Sequence, residues 1–300
     1  MKSFISKILL FGSFIIIFIA IGEILVRRVP NPYSYKHQWM LNNAKDVETL
    51  VLGSSHTYFG INPEKFSTTT FNLAFTSQNF EYDNVLLNQY VEQCNGLKNL
   101  IIPISYFSLF SKGFEGGKDW WYAINYKVYM DCDIHSDFSK YNFEFSHPSV
   151  WKGKLLSLLK PSENLQCTDF GMGTAYAIDN KTESWDDAEA AIERHTAKEF
   201  NGLDKNLIYL NKIITLCKDK DINVILITTP TWYTYYKGLN RMQLAKMYEV
   251  IEDLLHNNSR IQYYDFLTDN RFVEDDFYDS DHLSNIGADK FSEILNALIE

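Results

Sequence analysis

Residues 47–56 read VETLVLGSSH. Apolar side chains dominate 47–52 and Gly53 ends the run, which predicts a short buried strand that delivers Gly53-Ser54-Ser55-His56 into a turn. A strand buried on both faces belongs to a parallel sheet covered by helices, and the rest of the chain repeats that unit. Further strands are predicted over residues 70–74, 100–105, 223–228 and 261–265. Helices are predicted over 81–92, 203–217, 240–256 and 285–299. The helix at 203–217 gathers Leu207, Leu210, Ile213, Ile214 and Cys217 on one face. The last helix does the same with Ile286, Phe291, Ile294, Leu295 and Leu298. The expectation is an α/β domain over 47–300 with a parallel central sheet.

Between about residues 111 and 196 the alternation stops. This stretch holds Trp120, Trp121, Tyr122, Tyr126, Tyr129, Phe138, Tyr141, Phe143, Phe145 and Trp151. It reads as an insertion, either a cap over a site or an excursion with its own small core.

The whole chain has 300 residues, 46% of them hydrophobic and 22% charged, which excludes a disordered or fibrous protein. Its 28 basic residues against 38 acidic ones leave a formal charge of −10. That balance excludes a general binder of the nucleic-acid backbone, which needs a basic face. Aromatic residues reach 15%, which suits a surface for sugars, lipids or a membrane, or else a crowded aromatic core.

Residues 8–26 read ILLFGSFIIIFIAIGEILV, flanked by Lys2 and Lys7 on one side and by Arg27 and Arg28 on the other. About 19 residues at about 1.5 Å each are long enough to cross a hydrocarbon core. Residues 1–28 are therefore expected to anchor the chain in a membrane, with the remainder outside the cytoplasm. A cleaved signal peptide, cut near Ala20-Ile21-Gly22, is the alternative. The prolines in Pro30-Asn31-Pro32-Tyr33 break the helix and open an expected linker over 29–46. Outside the cytoplasm, Cys132 and Cys167 are a plausible bridge, whereas Cys94 and Cys217 read as buried thiols. No C-x-x-C spacing suggests zinc or redox chemistry.

Two stretches carry candidate chemistry. In an open parallel sheet, ligands bind beyond the carboxyl ends of the strands, where the strand order reverses. Ser55 lies just past the first strand. Asp279-Ser280-Asp281-His282-Leu283 precedes the last helix. A catalytic histidine needs a carboxylate on one ring nitrogen, and Asp279, three residues before His282, reaches it within one turn. Asp281, as the immediate neighbour, is expected to point away. A metal site built from Asp279, Asp281, His282 and His56 lacks a further ligand pair at a telling spacing, and no cofactor is implied. His37, His135, His147, His195 and His256 read as structural or surface residues.

A serine after the first strand together with Asp-x-x-His before the last helix resembles the SGNH (GDSL-type) hydrolase superfamily. The resemblance covers about residues 47–109 and 203–300. It implies a flavodoxin-like three-layer sandwich with Ser55 as nucleophile, His282 as base and Asp279 as its orienting acid. Gly53-Ser54-Ser55, the polar His56 and Asn72-Leu73-Ala74 further resemble the membrane-anchored branch. That branch includes the D-alanine transfer proteins of lipoteichoic acid and the alginate-type O-acetylation proteins. It implies work at the bacterial cell envelope on an acylated glycan, beside a membrane-bound O-acyltransferase. The chain departs from the pattern in two places. Phe75-Thr76-Ser77-Gln78 has no glycine where the family's oxyanion hole has one, which leaves the backbone N–H groups of Ser55 and Ser77 as the donors. Pro103-Ile104-Ser105-Tyr106 has no asparagine, which leaves Ser105 or Tyr106, with His56, to contact substrate. These departures admit the alternative of a degenerate glycan-binding or scaffold protein that partners the acyltransferase.

Overall fold

The computed structural model describes residues 2–114, 117–134, 139–159 and 165–299, so His135 and Phe138 lie outside the described residues. The chain divides into two compact units, Met1–Gln38 with Lys118–Gln166, and Trp39–Gly117 with Cys167–Glu300.

The second unit is α/β. Its strands are β1 (Thr49–Val51), β2 (Thr70–Asn72), β3 (Asn99–Pro103), β4 (Asn223–Thr228) and β5 (Ile261–Asp265), all parallel, in the order β2-β1-β3-β4-β5. Residues of β1, β2 and β3 are buried throughout, with apolar side chains at their centres and Thr49, Thr70, Asn72 and Asn99 as buried polar residues at their ends. Backbone pairing continues past the strand ends, through Leu52 N–H to Ile101 O, Leu73 N–H to Val51 O and Phe75 N–H to Gly53 O. From β1 the chain turns to β2 on one side and later to β3 on the other. The carboxyl ends of β1 and β3 therefore flank the point where the order reverses. One core cluster joins Val51, Ile101, Ile225 and Ile227 of the sheet to Phe272, Phe277, Phe291 and Leu295.

The first unit contains α1 (Lys2–Val26), which is long and apolar enough to cross a membrane. The expected linker is largely helical: α2 runs over Pro32–Asn43. Pro32 occupies its first turn, where a missing N–H costs nothing, and the Asn31 side chain accepts the N–H of Ser34 as a cap. The same motif that stops one helix thus starts the next.

In the second unit, residues 55–60 form the short α3 (Ser55–Gly60), followed by α4 (Phe80–Tyr90). The insertion then divides between the units. Residues 118–166 fall in the first, with α5 (Tyr122–Tyr129) and α6 (Pro148–Ser157), whereas residues 167–196 fall in the second, with α7 (Glu189–His195). The α/β unit continues with α8 (Leu203–Asp219), α9 (Tyr233–Gly238), α10 (Arg241–Asn257) and α11 (Asn285–Ile299). Cys94, Cys132, Cys167 and Cys217 are all buried thiols, so the expected bridge between Cys132 and Cys167 is not formed.

Gly53 ends β1 at φ +110°, and a Cβ there would collide with the Pro103 ring at the end of β3. Both the backbone angle and the close approach require glycine. Gly53→Ala is expected to destabilise the α/β unit by about 2–4 kcal/mol, measured as a lower midpoint in denaturant unfolding.

Candidate active site

Ser54 is extended and precedes the first residue of α3, which leaves the N–H groups of Ser55 and His56 in the unpaired first turn. The turn is braced from three sides. Thr57 Oγ1 donates to Leu52 O at 2.9 Å. Asn72 Nδ2 donates to Thr57 O at 2.8 Å and to Ile61 O at 3.0 Å, which ties α3 to β2. Asp83 of α4 accepts the Gly53 N–H at 2.9 Å and Gln78 Nε2 at 2.6 Å, which joins the serine turn to the loop carrying Ser77. Burial pushes the Asp83 carboxyl up to about 7 against the pull of these two donors.

The opposite side of the site is a tight loop closed by the bridge between Phe277 and Leu283 and by Tyr278 N–H to His282 O. Ser284 anchors its exit: its Oγ donates to Asp275 O and accepts the Gly287 N–H. Gly287 lies so close to the Asp276 carbonyl that any side chain there would strike it, which sets α11 hard against the loop.

These two frames bring together the three residues singled out for catalysis. Ser55 Oγ lies 2.8 Å from His282 Nε2. His282 Nδ1 lies 2.9 Å from Asp279 Oδ1, and the same oxygen accepts the backbone N–H groups of Asp281 and His282. With Nδ1 donating to Asp279, a neutral His282 presents the Nε2 lone pair to the Ser55 hydroxyl. Ser55 and Asp279 are partly exposed, and His282 is buried beneath them.

Asp281 does not point away. Its side chain is 2% exposed, and Oδ2 lies 3.2 Å from His56 Nε2, 3.6 Å from His282 Nδ1 and 3.8 Å from His195 Nδ1. The loop turns so tightly at Asp279 that neighbouring side chains do not alternate in and out as they would on a strand. Burial pushes the Asp281 carboxyl up, but His282, His56 and His195 outweigh it and hold the group well below the usual carboxylate range.

His56 and Ser105, expected to contact substrate, are buried beside this carboxylate. Ser105 Oγ lies 3.0 Å and Thr229 Oγ1 3.2 Å from His56 Nδ1, so hydroxyl donors there leave Nε2–H to face Asp281. Burial lowers the His56 imidazole. Tyr106 is also buried, and its hydroxyl meets Thr196 Oγ1 and the Asn240 N–H. Ser77 has φ +60°, and no acceptor among the described residues meets its N–H or that of Ser55.

Three further residues border the site: His195, which the sequence reads as structural or surface, and Tyr176 and Tyr278, which no motif marks. His195 stacks on Phe107, hydrogen-bonds Tyr235 Oη at 2.7 Å and is lowered by burial to about 3. Tyr176 and Tyr278 are stacked 4.2 Å apart, and the Tyr176 ring meets His282 edge-on at 5.0 Å. Tyr176 is fixed by its carbonyl, which accepts the N–H of Asn285. His195 and Tyr176 both come from the rear of the insertion, where no motif marks them.

The ligand atoms of His56, Asp281 and His282 lie within 4.8 Å of one another, close enough to converge on a cation. His282, however, already uses one nitrogen toward Ser55 and the other toward Asp279. The arrangement suits a hydroxyl nucleophile with a carboxylate-held base.

Burial pulls the His282 imidazolium down, and Arg194 opposes it as well. The Asp279 and Asp281 carboxylates overcome both and carry it up to about 9. His282 is therefore expected to hold its proton at neutral pH and release it only as the pH rises through about 9. NMR titration of the ring in the folded chain measures this, and Asp281→Asn is expected to move the midpoint down. No protein-family model matches the chain, and no curated protein matches it.

Proposed function

We propose that the chain is a serine esterase or O-acyltransferase of the SGNH type, held at a membrane by α1 and acting outside the cytoplasm on acyl esters of a cell-envelope glycan. The observation that carries this reading is the 2.8 Å contact between Ser55 Oγ and His282 Nε2, with Asp279 Oδ1 2.9 Å from the other ring nitrogen. The strand order β2-β1-β3-β4-β5 supports the finer expectation of a flavodoxin-like three-layer arrangement, because that order places Ser55 at its reversal point.

In this reading His282 takes the proton as Ser55 Oγ attacks the acyl carbon. Asp279 holds the imidazolium that forms. The tetrahedral oxyanion rests against the N–H groups of Ser55 and Ser77, each such donor contributing roughly 10²-fold or more. Collapse expels the alcohol, which regains its proton from His282, and leaves an acyl-Ser55 ester. Water, or a glycan hydroxyl, then attacks that ester with His282 again as base. A membrane-bound O-acyltransferase is the natural partner for the transfer version, because it supplies activated acyl groups at the surface that α1 would occupy. The alternative, a scaffold that binds glycan without turnover, rests on the absent glycine and asparagine.

A fluorophosphonate probe tests the proposal directly. The folded wild-type chain is expected to take the label at Ser55, and faster as the pH rises through about 9. Ser55→Ala should abolish labelling, and His282→Ala should slow it by about 10⁴-fold or more. A folded wild-type chain that stays unlabelled above that pH, yet binds envelope glycan equally well with Ser55→Ala, would overturn catalysis in favour of the scaffold.

A further inference from the structure

The apolar run of α1 contains one acid, Glu23. An ionised carboxylate at that depth in lipid is costly unless it is paired and hydrogen-bonded. Glu23 is both. Oε1 accepts from Arg27 Nε at 2.9 Å and from the Glu144 N–H at 2.9 Å, and Oε2 accepts the Phe145 N–H at 3.2 Å. Arg27 also donates to Asn142 O at 2.5 Å. Beside Glu23, the Trp151 indole lies against Gly22, where any side chain would collide with it, and about one turn deeper its ring meets Phe18 edge-on at 6.4 Å. Residues 142–151 thus grip α1 from Phe18 to Arg27.

Phe18 precedes the end of α1 by eight residues, or about 12 Å of helix axis. If α1 spans a bilayer, Trp151 and the start of α6 lie below the level at which the helix emerges. Lipid must give way to them there. Exposed apolar side chains on α6 and its flanks suit that position: Leu156 on the helix is 57% exposed, Leu159 just past its end is 80% exposed, and Phe145 before its start is 37% exposed. Arg27 and Arg28 are exposed just past the end of α1, and Lys152 is exposed on α6 with a side chain long enough to reach toward the headgroups. An apolar edge with basic neighbours and a tryptophan is the composition of an interfacial element.

We infer that residues 143–159 form a collar on α1 that is seated in the boundary layer of a lipid bilayer, with Leu156 and Leu159 among the acyl chains. This half of the insertion is then a membrane contact. The inference is independent of the acyl chemistry and rests on α1 as a membrane span.

The test uses the full chain, purified alone and reconstituted in phosphatidylcholine–phosphatidylglycerol vesicles. The four native thiols are buried, so a bimane label reports on one introduced cysteine at a time: Phe14→Cys in the middle of α1, or Leu156→Cys on α6. Vesicles with brominated acyl chains are expected to quench both labels to a comparable degree, while aqueous iodide quenches neither strongly. Quenching of the Phe14→Cys label by lipid, with the Leu156→Cys label quenched only by iodide, would overturn the collar and leave that face to water or a protein partner. Loss of lipid quenching at both positions would overturn the collar together with the span on which it rests.

Discussion

The site is organised around one imidazole held between two carboxylates. Asp279 and Asp281 both approach His282 Nδ1, at 2.9 Å and 3.6 Å. Two like charges this close, with one of them fully buried, are tolerable only because a cation stands between them. Much of the surrounding structure serves that cation. The Asp279 carboxylate folds the loop by accepting two backbone N–H groups, which aims the ring at Ser55. His56, kept neutral by burial and supplied with hydroxyls at Nδ1, turns a donor toward Asp281. Tyr176 closes one side of the ring edge-on. An imidazole held this way keeps its proton to higher pH than a free one.

The alternation that defines the α/β unit was legible because buried parallel strands leave solid apolar runs, and surface helices leave one apolar stripe. The strands at 223–228 and 261–265 and the helix at 285–299 agree with the expected bounds. The other strands were expected longer, since residues such as Leu52 and Leu73 continue the pairing without extending the regular element. Ser55, Asp279 and His282 were legible for a related reason. Each sits at the boundary of a strand or helix, and topology alone carries those boundaries to one edge of the sheet. Asp281 was not. Its direction depends on how Asp279 folds the loop and on His56 and His195, which are distant in sequence. His195 and Tyr176 sit in a segment with no periodicity, so nothing local marks them as neighbours of His282.

The insertion reads as one block because aromatic residues are spread along all of it. Its division follows from contacts that composition does not encode. The front half is committed to α1 by a charge: Glu23 needs donors, and the N–H groups of Glu144 and Phe145 provide them. The rear half is committed to the α/β unit by pairing, through Gly173 N–H to Tyr58 O and Asn285 N–H to Tyr176 O. Two aromatic segments that look alike as sequence thus serve different neighbours. An acid within an apolar run is the signal that would have separated them, since such a group implies a partner from elsewhere in the chain.

The missing glycine bears less on catalysis than its absence from the motif suggests. An oxyanion donor at this position is a backbone N–H, so the requirement falls on conformation and not on residue type. Ser77 adopts φ +60°, the left-handed region where glycine is at ease and serine is held at a cost of about 1–2 kcal/mol. Such a conformation persists only where surrounding contacts impose it. Here Gln78 supplies them, donating to Asp83 while its own N–H reaches Phe75 O. Asp83 in turn holds the Gly53 N–H, so one buried carboxyl fixes both the serine turn and the loop opposite it. Asp83 thus ties the Ser55 turn to a loop that holds Ser77 in a glycine-like conformation, which is the conformation that the proposed oxyanion hole would ask of that position.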